Sequence, residues 1–279
     1  MTLLAILCLA AMDALLKQLS DQLPLMQLLF FRYAFGIVPV LAAVAWRGNW
    51  RSLAWQRPGI HVLRGLLAFV ALSSFVTAIQ HLSLAMAVTL FFSAPLLLTV
   101  LSTLLLKQRP GPLVIFAVLL GLAGVMVVMR PGPEMLTRWS WLVLLAALAY
   151  SLAQILAHKV RDTESGAALT VSMNLVAGFI CLVAMLPNWQ PLETKLWLQM
   201  LAMGGIGGVG LYLLTEAMRR TNPALLGPFE YSAILWASLF DYFFWHLFPR
   251  PLTLLGFVLI AAAGSLVFFS RKRMAGGSV

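Results

Sequence analysis

Three carboxylates lie where carboxylates are costly. Asp13, Glu230 and Asp241 sit inside long apolar runs, and a charge at the centre of a bilayer costs roughly 2.5–3.5 kcal/mol on insertion scales. An acid there has two chemical uses: it takes up and releases a proton, or it meets a cationic group. These three are the candidate coupling-ion residues. Glu230 follows Gly227 and Pro228, which interrupt a helix and free backbone groups that must meet protein or line a cavity. Its expected place is a central cavity. Asp241 stands further along the same run, directed at the cavity or at His246. Asp13 precedes Lys17 by four residues, on one helix face. That spacing suits a self-satisfied pair and equally a substrate or proton site.

The same runs carry the other side chains a ligand site needs. Phe92, Tyr150, Gln154, Tyr212, Tyr231 and Trp236 lie deep in them. With Asp13 and Glu230 they form the candidate substrate-binding set, since pockets combine aromatic walls with a few polar groups. The plainer alternatives are packing for the aromatics and helix-to-helix hydrogen bonding for Gln154 and Asn174. Trp139, Trp141, Trp189, Trp197 and Trp245 fit interfacial anchors. Lys17, Arg32, Arg64 and Glu216 are read as structural charge. Arg32 and Arg64 stand near run ends, where long basic side chains reach the interface or meet helix ends. Glu216 precedes Arg219 and Arg220 at the spacing of a helical surface pair.

No pattern calls for a metal or cofactor. His61, His81, His158 and His246 are scattered, no H-E-x-x-H occurs, and no polar ring or repeated filter marks a channel. An intramembrane enzyme and a channel remain the alternatives. The glycines from Gly204 to Gly210 lack the Lys-Ser/Thr ending of a phosphate loop. They suit close helix contact or a hinge.

Long helices must position these residues. Hydrophobic residues make up 62% of the 279 and charged residues 10%, against about 25% charged in soluble domains. A bilayer-spanning helix needs about 20 apolar residues. Ten runs qualify, at roughly 2–19, 27–46, 60–80, 84–106, 112–130, 139–158, 167–187, 196–217, 224–247 and 252–270. They are too uniformly apolar for barrel strands, which alternate at period two. The first run lacks the basic start and small-residue cleavage site of a signal peptide. Cys8 and Cys181 imply no disulfide framework.

The net charge of +10 sits in the loops. Those after even-numbered runs hold Arg47, Arg51, Arg57, Lys107, Arg109, Lys159, Arg161, Arg219 and Arg220, and the tail adds Arg271, Lys272 and Arg273. The other side has Lys17, Arg130, Arg138, Lys195 and Arg250, five against twelve. Basic loops stay cytoplasmic, so both termini are expected there. This charge reads as topology, with membrane lipid as a partner and no nucleic acid.

The chain also looks duplicated at an offset of roughly 138 residues. Segment 84–109 reads LAMAVTLFFSAPLLLTVLSTLLLKQR, and 222–247 reads NPALLGPFEYSAILWASLFDYFFWHL. Five spans per copy is an odd number, so two like folds must sit upside down to each other. The expected fold is an all-α polytopic membrane protein of ten transmembrane helices, built as two inverted five-helix repeats, 1–133 and 134–279. Secondary transporters share that plan, with substrate near the midplane.

Four motifs in order resemble the drug/metabolite transporter superfamily, EamA branch: FFRYAFG at 30–36, HVLRGLLAF at 61–69, HLSLAMAVTLFFSAPLLL at 81–98 and GPFEYSAILWASLFDY at 227–242. AMDALLK at 11–17 is similar to the subgroup with S-adenosylmethionine and riboflavin importers. Many members carry Gly-Glu after spans four and nine, where this chain has Lys107-Gln108 and Trp245-His246. A role tied to that Glu does not transfer. The resemblance implies alternating-access transport of a small organic metabolite across the inner membrane, driven by a coupled proton or an exchanged metabolite.

Overall fold

A computed structural model describes the chain apart from residues 20–21, 80, 83, 108–109, 130–136, 237–238, 241–250 and 277–279. No strand occurs among the described residues. The helices are α1 (Thr2–Leu19), α2 (Leu25–Trp46), α3 (Pro58–Ile79), α4 (Leu84–Phe91), α5 (Ala94–Leu105), α6 (Pro112–Met129), α7 (Ser140–Lys159), α8 (Gly166–Met185), α9 (Thr194–Arg220), α10 (Pro223–Glu230) and α11 (Pro251–Gly276). Among the described residues, six stretches are long and apolar enough to cross a membrane: Leu25–Trp46, Pro58–Ala78, Ala87–Leu105, Ser140–Lys159, Gly166–Asn188 and Thr194–Arg220. Shorter apolar stretches run over Thr2–Leu16, Pro112–Val127 and Leu254–Leu266. The protein is a multi-pass membrane protein of helices.

Local chemistry sets the helix ends. Gly48 takes a positive φ of 62° after α2 and donates to Ala45 O, the usual left-handed close of a helix. Ser165 Oγ accepts from Ala168 N at 2.9 Å and starts α8. Asn222 Oδ1 accepts from Ala224 N at 3.0 Å and starts α10, with Pro223 at its first position.

Two runs expected to be continuous are interrupted. Span four breaks between α4 and α5 at Phe92 and Ser93. Pro95 is the cause: its ring excludes the carbonyl four residues back, which is Phe91, the last residue of α4. The ninth run leaves α10 after Glu230, turns at Tyr231 and Ser232, and resumes helical form over 233–236. The two turns share their hydrogen bonds. Ser93 N donates to Leu90 O and Ser232 N to Phe229 O, both at 3.0 Å. Beyond them, Leu97 N reaches Ser93 O and Trp236 N reaches Ser232 O.

The chain divides into two compact units, Met1–Phe69 with Leu156–Arg220, and Val70–Ile155 with Thr221–Val279. In unit 1, α9 packs on α1, α2 and α8, and α2 packs on α8. The glycine run makes the α9 contacts close. A methyl on Gly208 would collide with Gly36 O, and one on Gly207 with Met12 Sδ. Met12, Leu28, Phe31, Met200 and Met203 fill the interior beside them. In unit 2, α6 packs on α11 and α10 on α5. A methyl on Gly124 would stand 2.9 Å from Gly256 O. Phe92, Val125, Tyr231, Ile234 and Ile260 form the apolar centre.

Candidate functional site

Unit 2 brings the acid together with two of its expected neighbours, Tyr150 and Gln154. Glu230 is the one carboxylate among the described residues of this unit, and it is about nine-tenths buried, at 9% exposure. Tyr150, on α7, donates its hydroxyl to Glu230 Oε1 at 2.9 Å. Gln154, one helical turn further on, hydrogen-bonds Tyr150 in turn. The Phe91 ring leans on Tyr150 with centroids 5.6 Å apart. The scaffold is tight. Ser151 donates to Ala94 O at 3.2 Å and to Ala147 O at 2.7 Å, tying α7 to the start of α5. A methyl on Gly227 would lie 3.2 Å from Pro95 O, which fits α10 against α5.

The same unit also holds buried polar atoms left over. Ser93 Oγ, Gln154 Oε1, Tyr231 Oη, Ser232 Oγ and Trp236 Nε1 are buried with no hydrogen-bond partner among the described residues. An unpaired buried polar atom costs about 1–3 kcal/mol, so such groups call for an explanation such as a ligand or water. Tyr231 and Phe92 meet with ring centroids 5.9 Å apart. Chemically, the set offers one carboxyl group, several hydroxyls, an amide oxygen and aromatic faces.

Unit 1 holds further expected residues. Asp13 is exposed on α1 and lies within electrostatic reach of Arg32. Arg32 Nε donates to Met12 Sδ at 3.2 Å, and its guanidinium lies 5.9 Å from the centroid of the Tyr33 ring. Lys17 belongs to α1, but its side chain is not among those described. Arg64 is fully buried and gives Nη1 to Leu169 O at 2.9 Å, in the first turn of α8. Glu216 Oε1 accepts from Arg219 Nη2 at 3.0 Å and from Arg220 Nε. Tyr212 lines a small cavity with Arg219 and Glu216. Trp189 and Trp197 pack around Phe31, at 6.1 and 5.1 Å between centroids. Asp241 and His246 fall outside the described residues.

One network was not foreseen. His61 is fully buried, with Nδ1 at 2.6 Å from Ser172 Oγ and Nε2 at 3.0 Å from Glu164 Oε2. Glu164 Oε1 accepts from the backbone N–H groups of Gln56 at 3.0 Å and Arg57 at 2.6 Å, just before α3. A carboxylate there suits the positive end of the helix. Trp55 stacks on His61 at 4.9 Å. His61 and Glu164 are more than a hundred residues apart in sequence, and no local spacing joins them.

Comparison with known proteins agrees along the full length. An S-adenosylmethionine uptake transporter of Rickettsia bellii is 25% identical over 272 residues, covering 97% of this chain and 93% of that protein. The pseudopaline exporter CntI of Pseudomonas aeruginosa is 25% identical over 258 residues, covering 91% and 89%. A crystal structure at 22% identity shares the fold, with a TM-score of 0.82 over 96% of both chains. The profile of the EamA-like transporter family matches residues 1–130 and again 137–269. With its two helix breaks and the residues gathered beside them, the chain belongs to the EamA-like transporter family.

Proposed function

We propose that this protein is a secondary active transporter of a small organic metabolite in the cytoplasmic membrane, working by alternating access. The observation that carries the reading is Glu230, a buried carboxylate at the end of an interrupted helix, held by Tyr150 at 2.9 Å. Substrate sites of secondary transporters are commonly built on such interrupted helices. In this reading the two matched segments are inverted five-span repeats, and both termini face the cytoplasm. Glu230 takes the coupling proton or meets a cationic group of the substrate. Energy comes from an ion gradient or from exchange.

The relatives are named for uptake in one case and export in the other, so S-adenosylmethionine is the first cargo to assay and both directions belong in the assay. Amino acids and vitamins follow. Purified protein in liposomes is loaded with unlabelled S-adenosylmethionine and given labelled compound outside. Saturable counterflow, for this or another metabolite of the panel, is the expected result. Ohmic current without counterflow points to a channel, and product formation to an enzyme; either result overturns the reading.

A further inference from the structure

The basic end of unit 1 holds a half-open cavity that the transport reading does not use. Three segments meet there. Ser165 Oγ donates to Ser52 O, Arg219 Nη1 donates to Arg161 O, and Glu164 accepts from the backbone of Gln56 and Arg57. These segments carry seven bases, Arg47, Arg51, Arg57, Lys159, Arg161, Arg219 and Arg220, against the three acids Asp162, Glu164 and Glu216. The acids are already engaged. Glu164 faces His61 at 3.0 Å, and Asp162 lies 3.6 Å from Arg161. Glu216 is shared between Arg219 and Arg220.

The cavity measures about 140 Å³, and Val44, Arg47, Asn49, Tyr212, Glu216 and Arg219 are among the residues that line it. The Arg47 side chain has no partner among the described residues, although it stands at the cavity and at the end of α2. The space is several times the roughly 30 Å³ share of a water molecule in the liquid. Guanidinium groups match a phosphate's oxygens with paired N–H donors. Glu216 does not oppose an anion, because two arginines answer its single charge and Arg47 adds another.

We propose that this cavity binds a phosphate group, with Arg47 as its principal donor and Arg219 and Tyr212 beside it. The phosphate comes from a free anion or from the headgroup of an anionic phospholipid, to which basic segments at a membrane face are drawn.

Thermal unfolding of the full-length protein tests this. In detergent, inorganic phosphate is titrated at ionic strength matched with chloride, so that general screening is held constant. In parallel, nanodiscs of phosphatidylglycerol are compared with nanodiscs of phosphatidylcholine. Phosphate, phosphatidylglycerol or both should raise the wild-type Tm. Arg47→Gln should weaken the detergent-phase affinity about tenfold where free phosphate binds, or cancel the phosphatidylglycerol shift where only the lipid does. Arg47→Lys should fall between. Arg51→Gln, a neighbouring base outside the cavity lining, should match wild type. A shift in both settings assigns a general phosphate site, and a shift in nanodiscs alone assigns the lipid headgroup. No shift in either setting overturns the proposal. So does equal loss in Arg47→Gln and Arg51→Gln, which would mean diffuse surface charge. Counterflow is scored separately, so failure here leaves transport standing.

Discussion

The rings of Phe92 and Tyr231 lie 5.9 Å apart at their centroids, and each belongs to the turn that interrupts a helix. Each is followed by Ser-Ala, at an offset of 139 residues. In both turns the serine N–H closes back on the residue three before it. The two breaks thus share sequence, backbone bonding and a direct ring contact. Glu230 stands immediately before one of them. The corresponding residue before the other is Phe91, and Tyr150 touches both, by hydrogen bond and by ring contact. A single tyrosine thereby senses the acid and the aromatic residue at matching places.

That contact makes Gly121 a lever on the site. A methyl there would collide with the Tyr231 ring. Alanine gains about 1 kcal/mol of helix propensity over glycine, whereas overpacking costs typically 1–3 kcal/mol. The Tyr231 ring must turn to admit the methyl, and turning it disturbs Phe92. Gly121→Ala is expected to lower counterflow several-fold with a Tm change of only a few degrees. Wild-type counterflow in a folded variant would show that the ring's position is immaterial.

Gly208 gives the opposite case. Its neighbour is the backbone oxygen of Gly36, which cannot rotate away. Gly208→Ala should therefore destabilise by about 1–3 kcal/mol despite the propensity gain. Thermal unfolding in detergent reads this, and a rise in Tm would contradict the close α2–α9 packing. Gly205 has nothing within 4 Å of an added methyl, so Gly205→Ala is the control, expected neutral or mildly stabilising.

His61 and Glu164 should couple. Glu164→Gln keeps an oxygen for the Gln56 and Arg57 N–H groups but places an amide against His61. Glu164→Gln and His61→Gln are each expected to cost about 1–3 kcal/mol, the range for a buried polar group deprived of its partner. The double variant should cost less than the two together, with an interaction of about 0.5–3 kcal/mol. Additive losses would mean that the 3.0 Å approach contributes nothing.

The sequence showed some of this plainly. Uninterrupted apolar length marks a membrane helix whatever its neighbours do, so the starts and ends of α1, α2, α3 and α6 fall within two residues of the expected runs. The break in span four was also signalled, since Pro95 bars the Phe91 carbonyl, but an apolar run hides such a break from any count of hydrophobic residues. The second break has no proline at the equivalent place, where Ile234 stands. Pairings were not legible. Tyr150 and Glu230 are 80 residues apart, and their meeting depends on how α5, α7 and α10 pack. Tyr212 looked like Tyr150 in sequence, a lone tyrosine in an apolar run, yet it lines the Arg219 cavity of unit 1.

Glu230→Gln is the decisive substitution. It preserves shape and keeps an oxygen to accept from Tyr150, so the 2.9 Å bond can persist while the charge is removed. The expected outcome is at least a tenfold loss of uphill accumulation, equivalent to about 1.4 kcal/mol, with a Tm close to wild type. Counterflow then separates the two chemical uses of the acid. Survival of counterflow assigns the coupling proton to Glu230, because exchange down equal gradients needs no proton. Loss of counterflow assigns a contact with a cationic group of the substrate. Tyr150→Phe supplies the cross-check. It leaves the carboxyl group in place but removes its donor, a hydrogen bond of about 0.5–1.5 kcal/mol net. It should weaken accumulation less than Glu230→Gln does. If Glu230→Gln lowers Tm and expression while transport per folded molecule stays at the wild-type level, the acid is a structural group and the site lies elsewhere.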